Sequence, residues 1–165
     1  MHIKADKKAV SKGGFFGGGG SSRYEEAAEL YSQAANAFRL QKLGKEAGQA
    51  LEKAADMQMK TDERDDAANT LVEAYKSYRR TDPADAARVL KQAISLFTAK
   101  GNFRRAAGYQ FSLAELFEQD SELFRPEEAL EAYDAAGEWY ASDQADAYEP
   151  SPPANHPVLL AGQGC

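Results

Sequence analysis

The residues of this chain that could do covalent chemistry are few and poorly placed. Its two histidines, His2 and His156, and its single thiol, Cys165, lie within the first two and the last ten positions. Nucleophilic and general-base catalysis need such groups held rigidly against one another, so no His-based dyad or triad is expected. One cysteine also excludes an internal disulfide and a cysteine-based zinc centre, and it fits a reducing compartment. Carboxylates are plentiful, but the pairs Glu25/Glu26, Asp65/Asp66 and Glu127/Glu128 each open a helical pattern, where negative charge favours the helix dipole. We therefore assign no catalytic residue, no metal ligand and no cofactor.

Charge and apolar groups point to binding instead. The formal net charge of −6 argues against a nucleic-acid partner, yet it hides a gradient along the chain. Lys4, Lys7, Lys8 and Lys12 face only Asp6 at the start, whereas eight acidic residues and no Lys or Arg follow residue 126. Next to the basic start, residues 11–22 read SKGGFFGGGGSS, with six glycines around Phe15 and Phe16. There is no Gly-Lys-Ser/Thr ending and no preceding strand, so a phosphate-binding loop is not indicated. Two readings remain, a flexible linker and a membrane-touching loop. In the second, each Phe contributes about 1.5–3 kcal/mol if fully buried, and Lys7, Lys8 and Lys12 add roughly 1 kcal/mol each near anionic headgroups. Such weak binding matters mainly as a second contact for a chain already held by a partner. Further on, Arg79/Arg80, Lys100 and Arg104/Arg105 gather around predicted turns. They are either solvated helix-end charges or one basic face that contacts an acidic helical bundle.

The elements that must position these groups follow from an internal repeat. Six segments align without gaps: EEAAELYSQAANAF, KEAGQALEKAADMQ, DDAANTLVEAYKSY, ADAARVLKQAISLF, RRAAGYQFSLAELF and EEALEAYDAAGEWY, beginning at Glu25, Lys45, Asp65, Ala84, Arg104 and Glu127. Each places small or apolar groups at most of the offsets 3, 4, 7, 8 and 11 from its first Ala, the period of a helix face. The offset-0 residues are Ala27, Ala47, Ala67, Ala86, Ala106 and Ala129. At offset 7 stand Ala34, Ala54, Ala74, Ala93, Leu113 and Ala136, and at offset 11 the bulky Phe38, Tyr78, Phe97, Phe117 and Tyr140, with Gln58 the exception. This alternation of small and large suits interdigitated helices. A capping box at Ser22–Glu25, Asp82 and Arg125 each before a proline, and Gly44 and Gly101 as left-handed helix ends mark the boundaries. The predicted fold is all-α, an antiparallel helical-hairpin solenoid of about six helices resembling tetratricopeptide arrays. Residues 1–22 form a basic start and Gly/Phe-rich loop, 23–147 the repeat domain, and 148–165 a disordered Pro-rich tail, in which ligand function is not favoured because no basic residue flanks its prolines. No run approaches the roughly 18–20 apolar residues of a membrane span, and the start lacks a secretory h-region. A cytoplasmic protein is expected.

Several stretches resemble one known family. They are KADKKA at 4–9, GFFG at 14–17, YEEAAELY at 24–31, QAANAF at 33–38, ANTLVEAYK at 68–76, GNFRRAA at 101–107 and AGEWY at 136–140. The pattern is similar to the alpha-type soluble NSF attachment proteins (SNAPs), adaptors that recruit the ATPase NSF to SNARE complexes for disassembly after membrane fusion. The resemblance implies a twisted sheet of antiparallel helices and a role in vesicle transport as a peripheral membrane protein. It also implies membrane insertion through Phe15 and Phe16, and a basic face, Lys100, Arg104 and Arg105, that grips the SNARE bundle. Gly108 and Gln110 stand where relatives can carry lysine. Family members continue for more than a hundred residues to an acidic, leucine-containing terminus that engages NSF, so the ATPase is expected as a partner only where that half is supplied. Without it, a face carrying Trp139 and Tyr140 is left open, which predicts marginal stability or self-association. The alternative function is a generic peptide-binding helical-repeat scaffold.

Overall fold

A computed structural model of the chain describes residues 19–120 and 122–147. Among these residues there are six helices and no strand: α1 (Gly19–Leu40), α2 (Gly44–Lys60), α3 (Arg64–Tyr78), α4 (Pro83–Ala99), α5 (Phe103–Gln119) and α6 (Pro126–Ala147). Each helix packs on the next. Polar bonds then join alternate helices. Arg39 on α1 reaches Glu73 on α3, Glu52 on α2 reaches Arg88 on α4, Asn69 on α3 accepts from Arg105 on α5, and Lys91 on α4 reaches Glu128 on α6. Every one of these ties spans 34–37 residues, about one hairpin of chain. The helices therefore form two layers, α1/α3/α5 and α2/α4/α6, as an antiparallel solenoid requires.

The alanine register is what lets the layers close. At offset 0, Ala27, Ala47, Ala67, Ala86 and Ala106 are 0% exposed and Ala129 5%, and all six offset-7 residues are buried. Small groups at these crossings admit helix axes about 8–10 Å apart. The main core runs from Ala34 to Ala129, and a smaller cluster of Ala27, Ala28, Tyr31, Ala54 and Met57 sits under the first hairpin. At offset 11, Tyr78, Phe97 and Phe117 are buried, Phe38 packs partly against the core, and Tyr140 stays 42% exposed. Trp139 likewise packs partly against the core.

Several boundary expectations are corrected. Residues 19–22 are helical and extend α1 into the expected Gly/Phe-rich loop of residues 1–22. Ser21 Oγ donates to Glu25 Oε1 (2.8 Å) and Ser22 Oγ to Glu26 Oε1 (3.4 Å), so these serines brace the first turns one turn apart and no capping box forms at Ser22. Extending an existing helix fixes one residue per new bond, and this outweighs the cost of two glycines. As a result Glu25 and Glu26 sit beyond the first turn of α1, while Asp65/Asp66 and Glu127/Glu128 do lie in first turns. Gly44 does not end α1 but opens α2. The left-handed residue is Lys42 (φ 59°), and Leu43 N–H donates to Phe38 O while Lys42 N–H donates to Arg39 O. Asp62 (φ 61°) and Gly101 (φ 79°) end α2 and α4 in the same way. Gly44 is needed for another reason, since a Cβ there would lie 2.6 Å from the Ser77 carbonyl oxygen. Asp82 precedes Pro83 at the start of α4, as expected, but its side chain makes no cap bond.

Candidate functional site

Successive helices run in opposite directions, so successive turns emerge on opposite edges of the solenoid. The turns at 41–43, 79–82 and 120–125 share one edge. The turns at 61–63 and 100–102 share the other, with the start of α1 and the end of α6. The 17 residues of α4 separate Arg79/Arg80 from Lys100 by roughly 25 Å at 1.5 Å per residue. The basic residues that looked like one cluster in sequence are thus two groups.

On the second edge Lys100, Arg104 and Arg105 are brought together, and each is already engaged. Lys100 Nζ pairs with Asp65 at the start of α3. Arg104 Nη1 lies 3.2 Å from Asp143 Oδ2 on α6. Arg105 Nη2 donates to Asn69 Oδ1 at 2.7 Å, and its guanidinium sits 4.6 Å from the Phe97 ring centroid, which in turn stacks on Tyr109. The Lys100 and Arg104 pairs are exposed, and such pairs are worth about 0–1 kcal/mol, so they can exchange partners. Arg105 is more firmly oriented, because a cation–π contact of about 0.5–2 kcal/mol adds to its bond.

The first edge is different. Arg39, Lys42, Lys76 and Arg80 line an open groove of about 610 Å³, with Gly44, Glu73, Ser77 and Thr81 completing it. Arg39 Nη2 donates to both Glu73 Oε2 (2.9 Å) and Glu73 O (3.1 Å), and its Nε to Ser77 Oγ (3.1 Å). Lys76 Nζ takes the other Glu73 oxygen at 2.7 Å. Partial burial would push the Glu73 carboxyl up, but the bonds from Lys76 and Arg39 outweigh it and hold the group below its ordinary value. One carboxylate is thereby shared between two cations, while the side chains of Lys42, Arg79 and Arg80 have no bonded partner among the described residues. Leu40, 87% exposed, stands beside them. The groove itself holds four cations against the single carboxylate of Glu73 and adjoins apolar surface, which suits an acidic partner, while Glu115 and Asp120 line the neighbouring pocket with Arg79 and Arg80. Reading by residue type found Arg79 and Arg80 but missed Arg39, Lys42 and Lys76. The signal was available in the alternation of turn direction, which puts 41–43 and 79–82 on the same side.

A cluster of packed polar groups fixes the first edge. Tyr78, the last residue of α3 and 1% exposed, lies over Gly48 and donates its hydroxyl to Glu52 Oε1 at 2.6 Å. Burial, together with the Glu52 carboxylate, pushes its phenol far up, so it remains a donor. Glu52 is also held by Arg88 through bonds of 2.7 and 2.8 Å, and Arg88 bonds Asp85. Tyr78 therefore anchors the turn that carries Arg79 and Arg80 to both α2 and α4.

Among the described residues no group of His, Cys, Asp and Glu is arranged to hold a metal ion, and no helix is long and apolar enough to cross a membrane. Phe15, Phe16, Lys7, Lys8 and Lys12, like His2, His156 and Cys165, lie outside the described residues.

The family model described as "Soluble NSF attachment protein, SNAP" matches residues 1–151. The chain is 61% identical over 144 residues to a probable vesicular-fusion protein sec17 homolog of Schizosaccharomyces pombe, covering 87% of this chain and 49% of that protein. It is 44% identical over 146 residues to the alpha-soluble NSF attachment protein of Saccharomyces cerevisiae, covering 86% and 49%. With the human alpha-soluble NSF attachment protein the identity is 34% over 145 residues, covering 87% and 48%. The chain spans about half the length of the curated relatives it matches.

Proposed function

Because this chain belongs to the soluble NSF attachment protein family, we propose that it is a non-enzymatic adaptor part in vesicle transport that contacts SNARE complexes and an anionic membrane surface. The observation that carries the reading is the family match over residues 1–151, and the two-edged distribution of cations supplies a physical basis for it. In this reading Arg104, Arg105 and Lys100 meet acidic side chains of a SNARE helical bundle, exchanging Asp143 and Asp65 for partner carboxylates. Arg39, Lys42, Lys76 and Arg80 form a second contact on the opposite edge. The two edges stand roughly 25 Å apart, about the width of two helices of 10–12 Å laid side by side. Charge of this kind sets association rate and salt dependence more than final affinity.

The basic start and Phe15/Phe16 form the membrane contact, residues 19–147 the scaffold and residues 148–165 a tail with no assigned role, at the cytoplasmic face of the membrane. Engagement of the NSF ATPase depends on the half of the relatives that this chain does not span. The groove at Arg39, Lys42, Lys76 and Arg80 favours a second reading, a scaffold that binds acidic peptides and has no membrane contact.

One experiment separates the two. Anionic liposomes with and without reconstituted SNARE complex are floated with the unmodified chain, with Phe15→Ser/Phe16→Ser and with Arg104→Glu/Arg105→Glu. The adaptor reading expects the first variant to lose binding to bare liposomes and the second to lose the SNARE-dependent part. If the unmodified chain binds neither bare nor SNARE-bearing liposomes, the adaptor reading fails and the peptide scaffold remains.

A further inference from the structure

The groove on the first edge holds more hydrogen-bond donors than its own acceptors use. Arg39 is set in place by three bonds, from Nε to Ser77 Oγ and from Nη2 to Glu73 O and Glu73 Oε2. The two N–H groups of its Nη1 are left without an acceptor among the described residues. Glu73, the one carboxylate in the lining, has its oxygens turned to Arg39 and Lys76. Lys42 and Arg80 are exposed, and their side chains bond nothing among the described residues. Four cations against one carboxylate leave a net charge of +3 around a space of about 610 Å³.

The other carboxylates nearby do not fill this space. Asp82, in the turn beside Thr81, lies 3.7 Å from Lys45 and outside the lining. Glu115 and Asp120 line the neighbouring pocket, which shares only Arg80 with the groove. Neutral donors add to the cations. The bond from the Thr81 hydroxyl to Tyr78 O is long, at 3.5 Å, and is easily exchanged. Gly44 brings the start of α2 into the lining, and no side chain caps it, so its first-turn amides add positive potential.

This set of donors asks for an acceptor richer in oxygen and charge than a carboxylate. A phosphate group offers three strong acceptor oxygens and about −1.5 to −2 charge at pH 7, and its charge-assisted bonds to Arg and Lys are short and strong. The cations come from the ends of two helices and line one concavity, whose volume lies within the roughly 300–1,000 Å³ of small-ligand sites. We propose that this groove binds a compact ligand with two or more phosphate groups, an inositol-type polyphosphate, either free or as a lipid headgroup. Arg39 and Lys42 hold it from the end of α1, and Lys76 and Arg80 from the end of α3. This ligand is additional to the SNARE and membrane contacts proposed above, and it competes with an acidic partner for the same cations.

Isothermal titration calorimetry tests it on the unmodified chain, with inositol trisphosphate as the probe and a glutamate peptide of the same net charge beside it. Neither SNAREs nor membrane are present, so a failure here leaves the adaptor reading standing. The expected result is saturable one-to-one binding of the trisphosphate, about tenfold or more tighter than the peptide. Lys42→Asn, which suits a left-handed turn, and Arg80→Gln each remove one unbonded cation. Each should weaken trisphosphate binding by about tenfold while melting no lower than the parent. Arg64→Gln, on the opposite edge, should leave the affinity unchanged. Flotation then identifies the source, comparing phosphatidylcholine vesicles that carry phosphatidylinositol bisphosphate with vesicles brought to the same charge by phosphatidylserine. A preference for the bisphosphate that Arg80→Gln removes marks a lipid headgroup, and trisphosphate binding without that preference marks a free ligand. Absence of saturable trisphosphate binding overturns the proposal. So does equal affinity for the peptide, which makes the groove an acidic-peptide site, or an equal loss in Arg64→Gln, which makes the binding unlocalised charge attraction.

Discussion

Replacing Gly48 with alanine is expected to destabilise the solenoid, although alanine is the better helix former by about 1 kcal/mol. The new Cβ would stand 2.5 Å from Tyr78 Cζ and 2.6 Å from both Cε atoms, where carbon atoms in contact sit roughly 3.5–4.0 Å apart. The ring must retreat by about 1 Å, and it has no free space to enter, because Tyr78 is 1% exposed. Overpacking of this kind costs about 1–3 kcal/mol. Retreat also breaks the 2.6 Å bond to Glu52, and a hydrogen bond to a charged acceptor is worth about 1.5–3 kcal/mol. Less the propensity gain, the net loss is about 3 kcal/mol, which for a helical domain of this size lowers Tm by roughly 10 °C. Circular dichroism at 222 nm measures it. The double variant Gly48→Ala/Tyr78→Leu gives the cause, since removing the ring should make the alanine neutral or favourable and produce a coupling energy of about 3 kcal/mol, the upper end of the usual range. A Gly48→Ala melt at or above that of the parent refutes the reasoning, as does strict additivity in the double variant.

Two further outcomes follow from the first edge. Lys42 holds a left-handed conformation at φ 59°, which costs a residue with a Cβ about 1–2 kcal/mol; Lys42→Gly should therefore raise Tm by a few degrees while weakening association with an acidic partner, so a thermal melt and a binding titration on one variant should move in opposite directions. Glu73 has its carboxyl held below the ordinary 4.5 by Lys76 and Arg39 despite partial burial. A depressed carboxyl stabilises the fold above its unfolded value and ceases to do so as pH falls through its folded value. The melting temperature of the parent should thus drop below about pH 4.5 more steeply than that of Glu73→Gln, and parallel pH profiles would count against the shared-carboxylate arrangement.

The helices and their buried faces were legible because the information is local. An alanine at offsets 0 and 7 fixes the inward face whatever lies beyond it, and every such position is buried. What sequence reading missed depends on residues far apart in the chain. Gly44 looked like a helix terminator, but its need for a missing Cβ arises from the Ser77 carbonyl in the next hairpin. The start of α1 depends on how far a helix already fixed by Tyr31 and the alanines propagates backward, and serine–glutamate bonds settle that against the glycines. The grouping of Arg79/Arg80 with Lys100, Arg104 and Arg105 fails for the same kind of reason. Residue type marks a cation but does not say which carboxylate faces it, and the carboxylates that engage Lys100, Arg104 and Arg39 lie 34–39 residues away. Membership in one cluster is likewise set by the parity of the turn.

These long-range ties also connect stability with function. In the proposed reading, two edges that meet one helical partner need the spacing between them fixed before contact, since ordering it afterwards would subtract from affinity. The bonds between alternate helices supply that fixity, and each joins groups one hairpin apart. The Glu52–Arg88 tie is reinforced from the adjacent helix, because Glu52 also accepts from the hydroxyl of buried Tyr78. Tyr78 immediately precedes Arg79 and Arg80, so a change that dislodges its ring moves two cations of the first edge as well as loosening the core. Gly48→Ala should consequently weaken binding to an acidic partner even at temperatures where the helices remain folded, whereas Lys42→Gly removes one charge and leaves the positions of the others unchanged.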